Sequence, residues 1–172
     1  AILDKGQTRA DVEAVIDLTR SAGIALRPSL VPFTPWTGLA DYRELLAFIE
    51  RRDLIDHLDP VQLVLRLLLP PGSLLLQHPE MQPYLGPLDP ERFTYEWAHP
   101  DPRMDRLHGD LNGIVEKAAL DDEDPHLTFD RIVNNKLVTS QALTEGMKLL
   151  AAIVSCVAGL VIVIIVQKRE RA

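Results

Sequence analysis

An α/β fold is predicted by two features of the first hundred residues: helix and strand signals alternate, and the strand signals are apolar throughout. Val12, Val15, Ile16 and Thr19 recur at helical spacing, and Ile24 to Val31 follows as a short strand. Leu39, Tyr42, Leu45, Leu46 and Ile49 mark a second helix, and Val61 to Leu69 follows as a nearly continuous apolar run. Strands apolar on both faces, each preceded by a helix, are the pattern of a parallel sheet covered by helices.

Each element has its punctuation. Thr8 with Asp11 forms a capping-box pair at the start of the first helix, over 9–22, and Gly23 stops it. Pro32 and Pro35 end the first strand. Thr37 opens the second helix, and Arg51 and Arg52 fall in its last turn, where cations suit the helix dipole. Pro70-Pro71-Gly72 ends the second apolar run. A proline-punctuated stretch leads to Phe93, Tyr95 and Trp97, which alternate with polar or small residues as in an edge strand. Asp101-Pro102 and Asp124-Pro125 are helix starts with proline in the first turn. A stripe of Met104, Leu107, Leu111, Ile114, Val115 and Ala118, with Leu127, Phe129 and Ile132 beyond it, predicts a helical hairpin.

The character changes near residue 133. Leu149 to Val166 is apolar or small throughout, bounded by Lys148 and by Gln167, Lys168, Arg169 and Arg171. Such a run, as a helix, spans about 27 Å, close to the hydrocarbon thickness of a bilayer. A single C-terminal transmembrane helix is therefore expected, with the lipid bilayer as a partner. The positive-inside rule favours a cytoplasmic C-terminus, whereas the lack of a visible signal peptide favours a cytoplasmic N-terminal part. The second argument places the soluble part in the cytoplasm. The expected organisation is an α/β region over 1–98, a helical hairpin over 99–133, a linker over 134–148, the span over 149–166 and a basic tail over 167–172.

Composition narrows the function. A formal net charge of −7 argues against nucleic-acid binding, which needs a basic face to meet phosphates. The lone Cys156 excludes an internal disulfide framework and lies inside the apolar run. His57, His78, His99, His108 and His126 are scattered without metal-ligand spacing, and surface or loop roles are expected for them. Asp121-Asp122-Glu123-Asp124 reads as a solvated acidic turn capping the next helix, since it lacks the alternating ligands and glycine of a calcium loop. Tyr42 is expected to pack the second helix, while Trp36 is open between packing and a pocket mouth. No phosphate-cradling glycine loop and no G-x-S-x-G is present.

Several segments together resemble the C-terminal half of radical S-adenosylmethionine (radical SAM) enzymes. Ile2-Leu3-Asp4-Lys5-Gly6-Gln7-Thr8 is similar to the family's "L-x-K-G-x-T" turn after the fourth barrel strand. Ala22-Gly23-Ile24 is similar to the entry to the fifth strand. Pro32-Phe33-Thr34-Pro35-Trp36-Thr37 sits where many members carry "G-x-P-G-E-T", with both glycines replaced. Arg66 to Ser73 resembles the exit of the sixth strand. An uncharacterised group with "RPS-x-VPFTPWT" and "VQ-x-x-x-RLL-x-PPGS" segments is the nearest type. The resemblance covers about three-quarters of the chain.

The resemblance implies a partial (β/α) TIM-type barrel made of the last strands and helices. It also implies S-adenosylmethionine and a [4Fe–4S] cluster as cofactors of the full-length family, and a parent reaction in which S-adenosylmethionine is reductively cleaved to a 5′-deoxyadenosyl radical. The C-x3-C-x2-C loop that holds the cluster is absent from this chain, so the chain alone is expected to be catalytically silent and to bind no cofactor by itself. It is then a fragment or split portion, with no catalytic and no metal residues of its own. Its expected partner is the missing N-terminal half of the barrel or another chain at the open sheet edge. A non-enzymatic single-span membrane protein with a partner-binding domain is the alternative, and an unrelated join near residues 133–140 is a third.

Arg27 and Ser29 share one face of the first strand, and Gln62 and Arg66 share one face of the second. If the resemblance holds, these four line the S-adenosylmethionine or substrate cavity, since an inward arginine needs a partner and its fork suits a carboxylate or phosphate. The alternatives are a buried ion pair, or arginines at strand ends reaching water.

Overall fold

The structure is a computed structural model and describes residues 8–139. The helices form where the local signals placed them. Helix α1 (Arg9–Ser21) carries the capping box: the Thr8 hydroxyl accepts from the Asp11 N–H at 3.2 Å, and the Asp11 carboxylate accepts from the Thr8 N–H at 2.8 Å. The Thr8 N–H, and the Thr8 hydroxyl donating at 2.7 Å, hold the Asp11 carboxyl below the usual carboxylate range. Gly23, at φ +66°, turns the chain out of the helix in the left-handed conformation that glycine adopts without strain. Helix α2 (Leu39–Arg51) begins with the Gly38 N–H bonded to Asp41 at 2.8 Å and buries Leu39, Tyr42, Leu46 and Ile49. Helix α3 (Pro102–Leu120) is capped by Asp101 and helix α4 (Pro125–Val133) by Asp124, each aspartate accepting from the N–H two residues on. These two helices pack together as the expected hairpin.

The strands do not follow the expectation, and the α/β partial barrel is corrected. The described residues form a mixed, mainly helical body with one small sheet, the antiparallel pair β1 (Leu85–Asp89) and β2 (Thr94–Trp97). Ile24 to Val31 is extended but joins no ladder. The second apolar run begins as a tight 3₁₀ turn over Pro60–Leu63, capped by Asp59, whose carboxylate accepts from the Val61 N–H at 3.0 Å. One parallel bridge joins Phe33, two residues past the first run, to Arg66 of the second. Its bonds are Phe33 N–H to the Leu65 carbonyl, 3.2 Å, and Leu67 N–H to the Phe33 carbonyl, 2.8 Å. A barrel needs a continuous, closed ladder of tilted strands, and none exists among the described residues. The expected open edge of a half-barrel goes with it.

The reason is local. Pro28 sits in the middle of the first run and removes a ladder donor, and Asp59-Pro60 nucleates a turn at the head of the second. An apolar run without periodicity does not distinguish strand from buried turn.

The single-pass membrane assignment is corrected as well. No helix among the described residues is long and apolar enough to cross a membrane. The run 149–166, the flanking linker from residue 140 and the basic tail lie outside the described residues.

The core has two parts. The larger joins Phe33 and the inner face of α2 to Met104, Leu107 and Leu111 of α3 and to Phe129 and Ile132 of α4. The smaller gathers Leu69, Met81 and Trp97, with Trp36 and Tyr84 against them. Tyr42 is wholly buried and donates to the Leu63 carbonyl at 2.9 Å. Phe33 stands between the rings of Tyr42 and His108, with centroids 5.1 and 4.9 Å away. Tyr42 is thus the packing residue that was expected, and Trp36 joins the smaller core.

Candidate ligand cavity

The four predicted site residues are separated by the fold. Arg66 leaves the bridge at Phe33 and meets the first turn of α3, where its Nη1 donates to Asp105 at 2.7 Å. Its Nη2 donates to the Trp97 carbonyl at 2.6 Å, and its guanidinium lies over the Trp97 ring, 3.7 Å from the centroid. Asp105 also accepts from the His99 N–H at 3.1 Å, and the Trp97 indole N–H donates to the Leu67 carbonyl at 2.8 Å. Both terminal nitrogens of the Arg66 fork and one face of its plane are engaged by protein groups. It clasps β2, α3 and the segment after the 3₁₀ turn together, bridging the two cores.

The adjacent cleft, about 410 Å³, is lined by Arg66, Thr94, Trp97 and His108, with Asp89 and Arg92 at its mouth. His108 is half-buried there, and its Nε2 lies 3.1 Å from the Val64 carbonyl, a geometry that places the proton on Nε2. Burial first, and the Arg66 charge second, hold its pKa below the ordinary histidine value. His99 lies 3.0 Å from the Thr37 carbonyl through Nε2. Both histidines are partly buried and join the scaffold, His99 from the loop before α3; the Val64 and Thr37 carbonyls come from distant segments, while Asn112 and Asp101 are local partners.

Ser29 and Gln62 come together in a second place. The Gln62 side-chain oxygen accepts from the Leu30 N–H at 2.9 Å and from the Ser29 hydroxyl at 3.3 Å. This fastens the extended segment to the 3₁₀ turn. Neither residue lines the cavity around Arg27 or the one around Arg66.

Arg27 is different. Along 25–31 the chain keeps a period of two, with Leu26, Pro28 and Leu30 turned toward the body and Arg27 and Ser29 exposed. Among the described residues no hydrogen bond or ion pair holds the Arg27 guanidinium. It lies on an open cavity of about 500 Å³ built from the Ile55–His57 turn, the C-terminal part of α3 and the acidic turn before α4. Several carboxylates there are already engaged. Asp56 lies 2.9 Å from His126 Nε2, Glu123 pairs with Arg131 at 3.3 Å and accepts from the Thr128 hydroxyl at 3.0 Å, and Asp59 caps its turn. Glu116 and Asp122 also line the cavity and have no such partner among the described residues. One free guanidinium thus shares a cavity with two free carboxylates.

Glu116 and Asp122 carry no ligand-site signal in the sequence. Glu116 is an ordinary polar-face residue of α3, and Asp122 belongs to a turn whose other members do cap and pair as expected. Only tertiary packing, of α3 against the Pro60–Leu63 turn and of α4 against that turn and Ile55–His57, brings them into one cavity with Arg27. No group of three or more histidine, cysteine, aspartate or glutamate residues is placed to hold a metal among the described residues.

Comparison with protein-family models, with curated proteins and with solved structures finds no match. The radical SAM resemblance therefore rests on the quoted segments alone.

Proposed function

We propose that this chain is a ligand-holding portion of a radical SAM enzyme, silent in chemistry by itself, and that the Arg27 cavity takes a small zwitterion. The observation that carries the reading is that Arg27, Glu116 and Asp122, none of them held by a hydrogen bond or ion pair among the described residues, line one cavity. A guanidinium binds a ligand carboxylate through its paired N–H groups, and a carboxylate binds an ammonium or sulfonium cation. The aminocarboxylate end of S-adenosylmethionine presents both charges, and the cavity volume lies within the range of small-molecule sites. A thiolate-bound cluster needs more cysteines than the single one here, so the cluster, and the electron that cleaves S-adenosylmethionine, would come from a separate cysteine-bearing portion. The chain's own part is to bind and orient.

Titration calorimetry with S-adenosylmethionine and the full chain tests this. Saturable binding is expected, weakened about tenfold in Arg27→Ala, as loss of one solvent-exposed charge-assisted contact implies. 5′-Methylthioadenosine, which lacks the aminocarboxylate, is expected to bind no better to the parent chain than to the variant. Equal affinity of parent and Arg27→Ala for S-adenosylmethionine, or no saturable binding, would overturn the assignment.

A second reading, a partner-binding module without enzymatic work, is favoured by one observation. An apolar groove runs under α1, and only Ile16 of that helix is buried.

A further inference from the structure

Helix α1 lies on the body without filling its bed. Of its apolar residues only Ile16 is buried, while Val15 and Leu18 stay 50% and 67% exposed. A space of about 310 Å³ is lined by Val12, Val15 and Ile16 of α1, by Leu26 and Leu30, and by Leu45 and Phe48 of α2. Around that single anchor the described contacts are charged. Arg9 donates to Glu44 at 2.8 Å, and its guanidinium, with that of Arg51, covers the Phe48 ring at 5.4 and 5.9 Å. Arg52 pairs with Asp17, and Arg20 donates to the Arg52 carbonyl at 2.7 Å. The Glu44 and Asp17 side chains keep more than half of their exposure, so each ion pair is weak and weakens further with salt. The docked state also buries the Arg52 Nε without a partner among the described residues, which costs stability. By contrast, α3 and α4 pack along each other and share the larger core. A helix with one apolar anchor and a charged rim has the low local stability of a segment that opens while the rest stays folded.

The extended segment that follows is divided at Ser29. Its start goes with α1, since the Ile24 N–H donates to the Thr19 carbonyl at 2.9 Å. Its end stays with the body, where Gln62 accepts from the Leu30 N–H at 2.9 Å and from the Ser29 hydroxyl at 3.3 Å. Arg27 stands on the α1 side of that hold. We propose that α1 and residues 24–27 form a clasp, latched by Arg9 on Glu44 and Arg52 on Asp17, that opens about Ser29 as one unit and lifts Arg27 away from its cavity. Closing the clasp completes the cavity; opening it removes the cavity's guanidinium. That a ligand senses this rests on the ligand reading above, whereas the opening itself does not.

Native-state amide exchange of the full chain at low and high sodium chloride, about 0.02 and 0.5 M, tests the clasp. The Ile16, Asp17 and Leu18 amides of α1 are expected to exchange at least about tenfold faster than Leu111 and Val115 of α3, and about threefold faster again in high salt. Exchange at Leu111 and Val115 is expected not to rise, because salt also screens the net charge of −7 and so favours the compact state. Asp17→Asn, which releases Arg52, should bring the high-salt rates of α1 into low salt. With S-adenosylmethionine at about ten times its Kd, α1 exchange should slow about fivefold, since opening must first give up the Arg27 contact. Arg27→Ala should abolish that slowing. Equal and salt-independent exchange in α1 and α3 would overturn the clasp, as would α1 amides exchanging like an unstructured peptide in low salt. Calorimetric binding that leaves α1 exchange unchanged would overturn the link between α1 and Arg27. Absence of calorimetric binding would instead strike the ligand reading, and the salt and Asp17→Asn results would still decide the clasp.

Discussion

Replacing Arg66 with alanine is expected to destabilise the protein by about 2–3 kcal/mol while leaving affinity at the Arg27 cavity unchanged. The substitution removes the charged bond to Asp105, the bond to the Trp97 carbonyl and the stack on the Trp97 ring. It also leaves Asp105 without its cation. Breaking a fully buried pair costs about 3–5 kcal/mol, and here the side chains keep 25% and 37% of their exposure, so solvent recovers part of the loss. Arg66→Lys is expected to restore less than half, because an ammonium cannot make two divergent bonds and lie flat on a ring together. Chemical denaturation of Arg66→Ala, Asp105→Ala and the double variant checks this, with a coupling of about 1–2 kcal/mol expected between the two sites. An Arg66→Ala protein of undiminished stability that had lost ligand binding would return Arg66 to the ligand site expected of it from sequence.

The second large effect is in the main core. Leu107 is fully buried on the face of α3 that meets the rest of the larger cluster. Leu107→Ala is expected to cost about 3–4 kcal/mol, as the lost side chain leaves a cavity that a close-packed interior only partly refills. Against a total stability of about 5–15 kcal/mol for a domain, that is a lower urea midpoint with an unchanged slope. The exposed Leu127→Ala on α4, 57% exposed, is the control and is expected to stay within about 0.5 kcal/mol of the parent.

What was legible in the sequence was what is encoded locally. Thr8 with Asp11, Asp101 with Pro102 and Asp124 with Pro125 each satisfy backbone N–H groups within the same turn, so the starts of α1, α3 and α4 can be read from neighbouring residues. The stripes on α2 and α3 bury the residues that share one face. The two apolar runs carried no such internal check. Pro28, which removes a ladder donor inside the first run, and Pro60, which turns the chain at the head of the second, were the warnings.

The site was legible only in part. The period of two along 24–31 put Arg27 and Ser29 on one face, as the structure has them. That face looks outward, because Leu26, Pro28 and Leu30 pack toward α1 and α2. Arg66 finds an ion pair with Asp105, and Arg27 is exposed on the lining of its cavity. Neither Asp105 nor the pair Glu116 and Asp122 can be matched to an arginine by spacing, since tertiary packing alone brings them near.

Residues 24–31 are an extended strap and Pro60–Leu63 a 3₁₀ turn, not barrel strands, and no described residue holds the Arg27 guanidinium. Amide hydrogen exchange over 24–31 tests it most directly. Among the described residues the N–H groups of Ala25, Leu26, Arg27 and Ser29 have no backbone acceptor, and Pro28 has no N–H. Exchange at these four is expected near the rate of an unstructured peptide, while Leu111 and Val115 in α3 exchange only through global unfolding. Slow exchange through 25–29 together with slow exchange through 62–68 would mean that a strand ladder forms there, and would contradict the account.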